Sequence, residues 1–425
     1  MRIKPTVFSI ISYVLTYFIC MSMMFANASI AATFPVNSGF DVNDLTPGNG
    51  LCVAYLIIII PGVLPACTLR AAIEEANALP GEDVIVLGSG TYRLTLSGLG
   101  EDQAGTGDLD ITDSLQIVGA GTDKTFIDAD GIDRVFDILG EHTTVTLSRL
   151  TVTNGNLPAG QSYDQKGGGG VRNQASLSLN NIVLSHNNVL GATSDDVGGG
   201  LLNNGICSII NSTIHTNNAN QGGGIFNDSY GTLTVSSSTI NNNSSQGGGG
   251  LTNYGSGNLI NTTLSNNTAS GNSFLLGGAI QNWQQLQITQ CTIAENSSSG
   301  GGGVSNGGII SMVNTIVSDN VGGNCHLTAD IISQGNNLDS GDTCNLQTDL
   351  SNTDPQLGSL RDNGGFTRTH ALNPGSPAID AGKYLVEITT DQRGILRPQR
   401  RSFDIGAFEA FNISIIPFIA PLLLK

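Results

Sequence analysis

The chain has 425 residues, of which 56 are Gly, 5% aromatic and 12% charged, with 17 Lys and Arg against 34 Asp and Glu for a formal net charge of −17. That balance excludes a basic nucleic-acid groove, because neutralising phosphates takes clustered cations. No run of about 20 apolar residues follows the first thirty, which excludes a polytopic membrane protein, and the aliphatic content is too high for a disordered acidic chain.

In chain order, Arg2 and Lys4 precede an apolar stretch from Val7 to Phe25, and small residues follow at Ala26, Ala28, Ala31 and Ala32. A basic start, an apolar middle and a small-residue exit read as a secretory signal over residues 1–31, with a retained anchor helix as the alternative. The expected location is secreted or cell-surface, with no transmembrane span in the mature chain. Export permits disulfides. Cys52 and Cys67 close one short loop, and Cys325 and Cys344 another. Residues 32–83 read as an N-terminal cap. Within it Leu69, Ala72, Ile73, Ala76 and Leu79 share one helical face, Thr68 is the N-cap and Pro80-Gly81 ends the helix.

From Val84 to Leu346 the pattern has period two, in short runs such as Val84-Val86, Leu109-Ile111, Leu115-Ile117 and Val145-Leu147. A Gly-Gly-small-apolar-x-Asn phrase recurs as Gly168–Asn173, Gly198–Asn203, Gly222–Asn227, Gly248–Asn253, Gly277–Asn282 and Gly301–Asn306. A second phrase, Thr-Ile-x-x-Asn, falls between, at Thr213-Ile214, Thr239-Ile240, Thr263-Leu264 and Thr292-Ile293. A unit of this length holds three short strands and cannot bury its inward side chains alone. Stacked units can. The expectation is an all-β, right-handed parallel β-helix of ten or eleven coils, with a rise of about 4.8 Å per coil. Asn173, Asn203, Asn227, Asn253, Asn282 and Asn306 should form one amide ladder, and Leu184, Ile214, Ile240, Leu264, Ile293 and Val317 one inward stack. Cys207 and Cys291 are then three coils apart, too far to pair, and read as small buried hydrophobes. Residues 347–410 read as a loop-rich C-terminal cap, with Asp380, Asp391, Asp404, Glu409, Arg393 and Arg397 as a structural ion-pair network. Residues 411–425 form a Pro-broken apolar tail too short to span a membrane.

Two stretches carry a family resemblance. Cys67-Thr68-Leu69-Arg70-Ala71-Ala72-Ile73, with Ala76-Asn77, Pro80-Gly81 and Gly90-Thr91-Tyr92, resembles the CSLREA domain, departing from it at Thr68 and Ala71. Asp354-Pro355, Asp362-Asn363-Gly364-Gly365, the run Gly375 to Gly382, Asp391-Gln392-Arg393-Gly394, Arg397-Pro398 and Asp404 to Glu409 resemble the choice-of-anchor Q domain. The Gly and Asn phrases between them are similar, more loosely, to chlamydial polymorphic outer-membrane protein repeats. The resemblance implies a pectin-lyase-like β-helix on an exported bacterial protein, and implies no known reaction.

Chemistry-bearing residues are sparse. From Gln174 through Leu360 there is neither Lys nor Arg, so the coils within that stretch lack the cationic base of polysaccharide lyases. Asp195-Asp196 is the only adjacent acidic pair in the regular repeats from Gly168 to Asn306 and reads as a solvated loop rather than a hydrolase pair. No catalytic residue, metal ligand or cofactor site is assigned. Longer connections enter at one corner of the repeat, at Gly155–Lys166, Val189–Val197 and Thr268–Leu276, and insertions at one corner emerge on one face. The candidate binding face is therefore Asp164, Lys166, Arg172, Asp195, Asp196, Phe274 and Leu275. The function read from this is a non-catalytic exported solenoid for adhesion or glycan binding, its partner an extracellular glycan or a surface protein. A polysaccharide lyase or glycoside hydrolase, or a structural matrix protein, are the alternatives.

Overall fold

The computed structural model describes residues 31–59, 62–158, 166–189, 191, 195–271, 276–347 and 349–411. Residues 1–30 of the proposed signal segment over 1–31, and the tail beyond residue 411, lie outside them. Among the described residues the chain is a right-handed parallel β-helix with one helix, α1 (Leu69–Ala78). Three parallel sheets run its length, with eleven, ten and nine strands. The first sheet runs from Thr33–Pro35 to Ile331–Ser333, so ten of its rungs lie at or after Asp83. Thr33–Pro35 pairs in register with Val84–Val86 and supplies a rung upstream of the helix, where the sequence shows no periodic run long enough to announce it.

Each regular coil has the same parts. A five-residue strand of the first sheet alternates buried and partly exposed residues, as in Ser176–Asn180 and Thr232–Ser236. A sharp corner follows, taken in the left-handed region by Asn181, Asn211, Ser237, Asn261, Gln290 and Asn314, with φ from 46° to 54°. Asn tolerates that region better than other side chains, which explains its frequency there. A three-residue strand of the second sheet comes next, then a longer corner, then the Gly run and the third sheet. Gly168, Gly198, Gly222, Gly248 and Gly301 open that last strand at positive φ, where a Cβ would be strained.

The inward stack matches the expectation. Leu184, Ile214, Ile240, Leu264, Ile293 and Val317 pair in register and are all 0% exposed. The amide ladder also matches. Asn173 donates from Nδ2 to Oδ1 of Asn203 at 2.7 Å, Asn203 to Asn227 at 2.7 Å, Asn227 to Asn253 at 2.8 Å, Asn253 to Asn282 at 2.8 Å and Asn282 to Asn306 at 2.9 Å. A second column, at the Asn that closes the Thr-Ile-x-x-Asn phrase, runs Asn187, Asn217, Asn243, Asn267, Asn296, Asn320 and Asn324, with links of 2.9 to 3.0 Å. Each column satisfies buried turn groups that have no water to turn to.

Helix α1 starts where expected. The Thr68 hydroxyl accepts from Ala71 N at 3.1 Å, and Leu69, Ala72, Ile73 and Ala76 join the solenoid core. The chain before it, Tyr55–Ile59 and Gly62–Ala66, is an antiparallel hairpin closed by the Cys52–Cys67 disulfide. The second disulfide, Cys325–Cys344, ties the last coil, where Cys344 and Leu346 enter the core. Cys207 and Cys291 are free and buried, and burial raises both thiol pKa values, that of Cys291 to about 12.

The C-terminal segment begins on the last rung, where Leu350 bridges Leu338 and Leu350 N donates to the Asn337 carbonyl at 3.1 Å, and then leaves the end of the stack. It runs back along the side of the solenoid as a strap over the second sheet. Thr239 Oγ1 donates to the Arg368 carbonyl at 2.6 Å, Thr263 Oγ1 to Gln392 Oε1 at 2.7 Å, and Ala407 N to Thr292 Oγ1 at 3.1 Å. Ser265 Oγ lies 2.9 Å from His370 Nε2. The strap also covers Ile316 and Leu338 with Leu372, Ala378, Ile405 and Phe408. The outward face of these rungs carries hydroxyls and two aliphatics, a surface that a loop-rich segment can both hydrogen-bond and bury. Within the strap Asp391 pairs with Arg393 at 2.7 Å and Glu409 with Arg397 at 2.9 Å, all with side chains at most 2% exposed.

Candidate binding groove at the repeat corner

The corner before the Gly run is built by stacked backbone. Asn220 N donates to the Asp196 carbonyl at 2.8 Å, Gln246 N to the Asn220 carbonyl at 3.0 Å, and Gly271 N to the Gln246 carbonyl at 3.0 Å. The coils that present Asn220-Gln221 and Gln246-Gly247 have short corners, while Val189–Val197 and Thr268–Leu276 on either side are longer. The short corners floor a groove, and Val189, Gly191, Ser270, Gly271 and Leu276 line its sides. Two adjoining hollows, of about 280 and 320 Å³, share Asn220 and Gln246. Gln221, Tyr254, Leu276 and Gln281 line the first, and Ser244, Ser245 and Ser270 the second.

Tyr254 is the aromatic member of this lining. Its ring lies between Phe226, 5.5 Å away centroid to centroid, and Trp283, 6.0 Å away and inclined by only 15°. Each aromatic sits at or next to the equivalent strand end of successive coils, which is what stacks them. Val197 and Leu202 pack on Phe226 and fix the row from the upstream side. Burial and the nearby Asp228 raise the Tyr254 phenol above its ordinary pKa, so it stays a neutral hydroxyl at pH 7. The groove thus offers amides, hydroxyls and one clamped phenol, with little charge.

Of the candidate face from the sequence, Lys166, Asp195 and Asp196 lie on the upstream side of this groove. Lys166 and Asp195 form an ion pair there. Asp196 is buried, and its carbonyl receives the corner amide of Asn220. Arg172 is not on the corner surface. It stands on the third sheet, 3% exposed, and its guanidinium binds Asp137 through Nε at 2.8 Å and through Nη2. Asp164, Phe274 and Leu275 lie outside the described residues. Asn220, Gln221, Gln246, Tyr254 and Gln281 were not picked out from the sequence. The signal available was the polar residue directly before the Gly run in the two shortest corners.

A second cleft, of about 370 Å³, opens where the strap leaves the second sheet, between Thr213, His215, Asn241 and Asn242 and the strap residues Asp362, Phe366 and Arg368. His215 stacks edge-on with His186 at 5.7 Å, and burial, then His186 and Arg368, hold its pKa below the usual range.

No protein-family model and no curated protein matches the chain. Among solved structures, the chain is similar to pectate lyase Pel9A, with a TM-score of 0.48 and 15% identity over 90% of this chain and 97% of that one. It is also similar to the A-module of the Azotobacter vinelandii mannuronan C-5 epimerase AlgE6, with a TM-score of 0.33 and 17% identity over 64% of this chain and 88% of that one.

Proposed function

We propose that the protein is an exported bacterial β-solenoid, of the kind that carries CSLREA and choice-of-anchor Q modules, and that it binds a neutral extracellular glycan in the corner groove without cleaving it. The observation that carries this reading is the lining itself: Asn220, Gln221, Gln246 and Gln281 set amides around a Tyr254 held between two rings. Paired amide donors and acceptors match vicinal sugar hydroxyls, and an immobilised aromatic loses little entropy on contact. Two disulfides and the apolar stretch from Val7 to Phe25 support export.

The test is a glycan array on the purified protein, followed by calorimetry with the best neutral oligosaccharide. Gln246→Ala and Tyr254→Phe should each weaken binding by about tenfold, the worth of one well-placed hydrogen bond. Phe366→Ala, in the strap cleft, should leave Kd unchanged, and all three variants should keep the parent Tm. Binding lost in Phe366→Ala but kept in the groove variants would move the site to the strap cleft and overturn the assignment. Unsaturated or reducing ends appearing on the bound glycan would overturn the non-catalytic reading.

A further inference from the structure

Near the N-terminal end, the third sheet carries an outward column in which Asp110, Asp137 and Arg172 are consecutive by register. Arg172 is bound to Asp137, Arg134 to Asp108 at 2.6 Å, and Arg70 to Asp41 at 2.6 Å. Asp110 has no such partner among these cations. It is 0% exposed, its Oδ2 accepts from Ala104 N at 2.7 Å, and its Oδ1 has no hydrogen-bond partner. The connection over residues 94–108 brings the exposed Asp102 to the same place. One carboxylate oxygen from each of Asp102, Asp110 and Asp137 lies within 4.8 Å of the other two. Asp133 Oδ2, also buried and also without a hydrogen-bond partner, adds to the local negative charge.

Carboxylates at this spacing, two of them buried, take up either a proton or a cation. Oxygen-only ligands select a hard ion, whereas zinc sites are built with His or Cys. Calcium holds oxygens at about 2.3–2.6 Å, so ligands on opposite sides of it stand about 4.6–5.2 Å apart. The three carboxylates fit inside that span. The Asp137 oxygens, although bound to Arg172, retain lone pairs for a metal. Asp102, at the surface, leaves a path for the ion and for the waters that complete its shell.

We propose that Asp102, Asp110 and Asp137 bind a calcium ion that fastens the 94–108 connection to the third sheet. The experiment titrates calcium chloride into the EDTA-treated, dialysed protein, read by calorimetry and by thermal melting. The expected result is a saturable binding heat and a rise in Tm, because an ion that binds only the folded form stabilises it. Asp110→Asn should lose both. Asp102→Asn, at an exposed position that the fold tolerates, should also lose both. Absence of heat and of any Tm change in the parent at millimolar calcium, or a Tm rise of equal size in both variants, would overturn the site.

Discussion

Arg397→Met should cost the strap about 3–5 kcal/mol, the usual penalty for removing one partner of a buried ion pair. The Arg397 side chain is 0% exposed. Its guanidinium binds Glu409 Oε2 at 2.9 Å and the carbonyls of Asp404 and Gly406 at 3.0 and 2.7 Å. Methionine fills part of the volume and supplies no donor, which leaves a buried carboxylate and two carbonyls short of partners. The damage should stay local, because the strap touches the coils along one side while the coils hold one another through three sheets. Calorimetry should therefore show a new low-temperature transition, and limited proteolysis should cut within residues 351–411 while the coils remain protected in hydrogen exchange. Changing Arg397→Met together with Glu409→Leu should recover much of the loss, since the uncompensated charge leaves with the pair. One unchanged transition in the single variant would refute the argument.

Asn243→Leu should destabilise the middle of the solenoid by at least about 3 kcal/mol, because several buried groups lose partners at once. Asn243 is 1% exposed. Its Oδ1 accepts from the Asn217 backbone N and from Asn217 Nδ2, and its Nδ2 donates to the Ile214 carbonyl and to Asn267 Oδ1, all at 3.0 Å. Leucine has similar bulk and satisfies none of the four. In a stack where each coil contacts only its neighbours, the loss should appear as reduced hydrogen-exchange protection on both sides, at Thr213–His215 and Thr263–Ser265. The coils around Leu115 and Val145 should keep their protection. Uniform protection across the stack would show that water replaces the amide at no cost.

The coil architecture was legible because its causes are local and repeated. A Gly at positive φ, an inward aliphatic and a ladder Asn recur at one phase, and the phase alone predicts the columns. The second column has the same kind of signature, the closing Asn of the Thr-Ile-x-x-Asn phrase, three residues beyond the inward aliphatic. The strap was not legible. Its place depends on Thr239, Thr263 and Thr292 meeting Arg368, Gln392 and Ala407 more than a hundred residues away, and nothing in either stretch names the other. Arg172 shows the same limit. Its position in the Gly-Val-Arg-Asn phrase fixes which way it points, yet only the register with Asp137, one coil earlier, reveals that its charge is already matched. For the groove, connection lengths located the corner, while the lining came from residues whose side chains share it only after stacking.

Both asparagine columns are electrically polar. In each, every amide donates toward the C-terminal end and accepts from the N-terminal side, so the side-chain dipoles add as the peptide dipoles of a helix do. The second column ends on a negative group: Asn324 Nδ2 donates to Asp339 Oδ1 at 2.6 Å, and the same carboxylate takes the backbone N–H groups of Gly341 and Cys344. The Asp339 oxygens accept the last amide's hydrogen and two backbone hydrogens, and so close the positive end of the column. The relay stops there, and another solenoid placed against that end would find no donor with which to continue it.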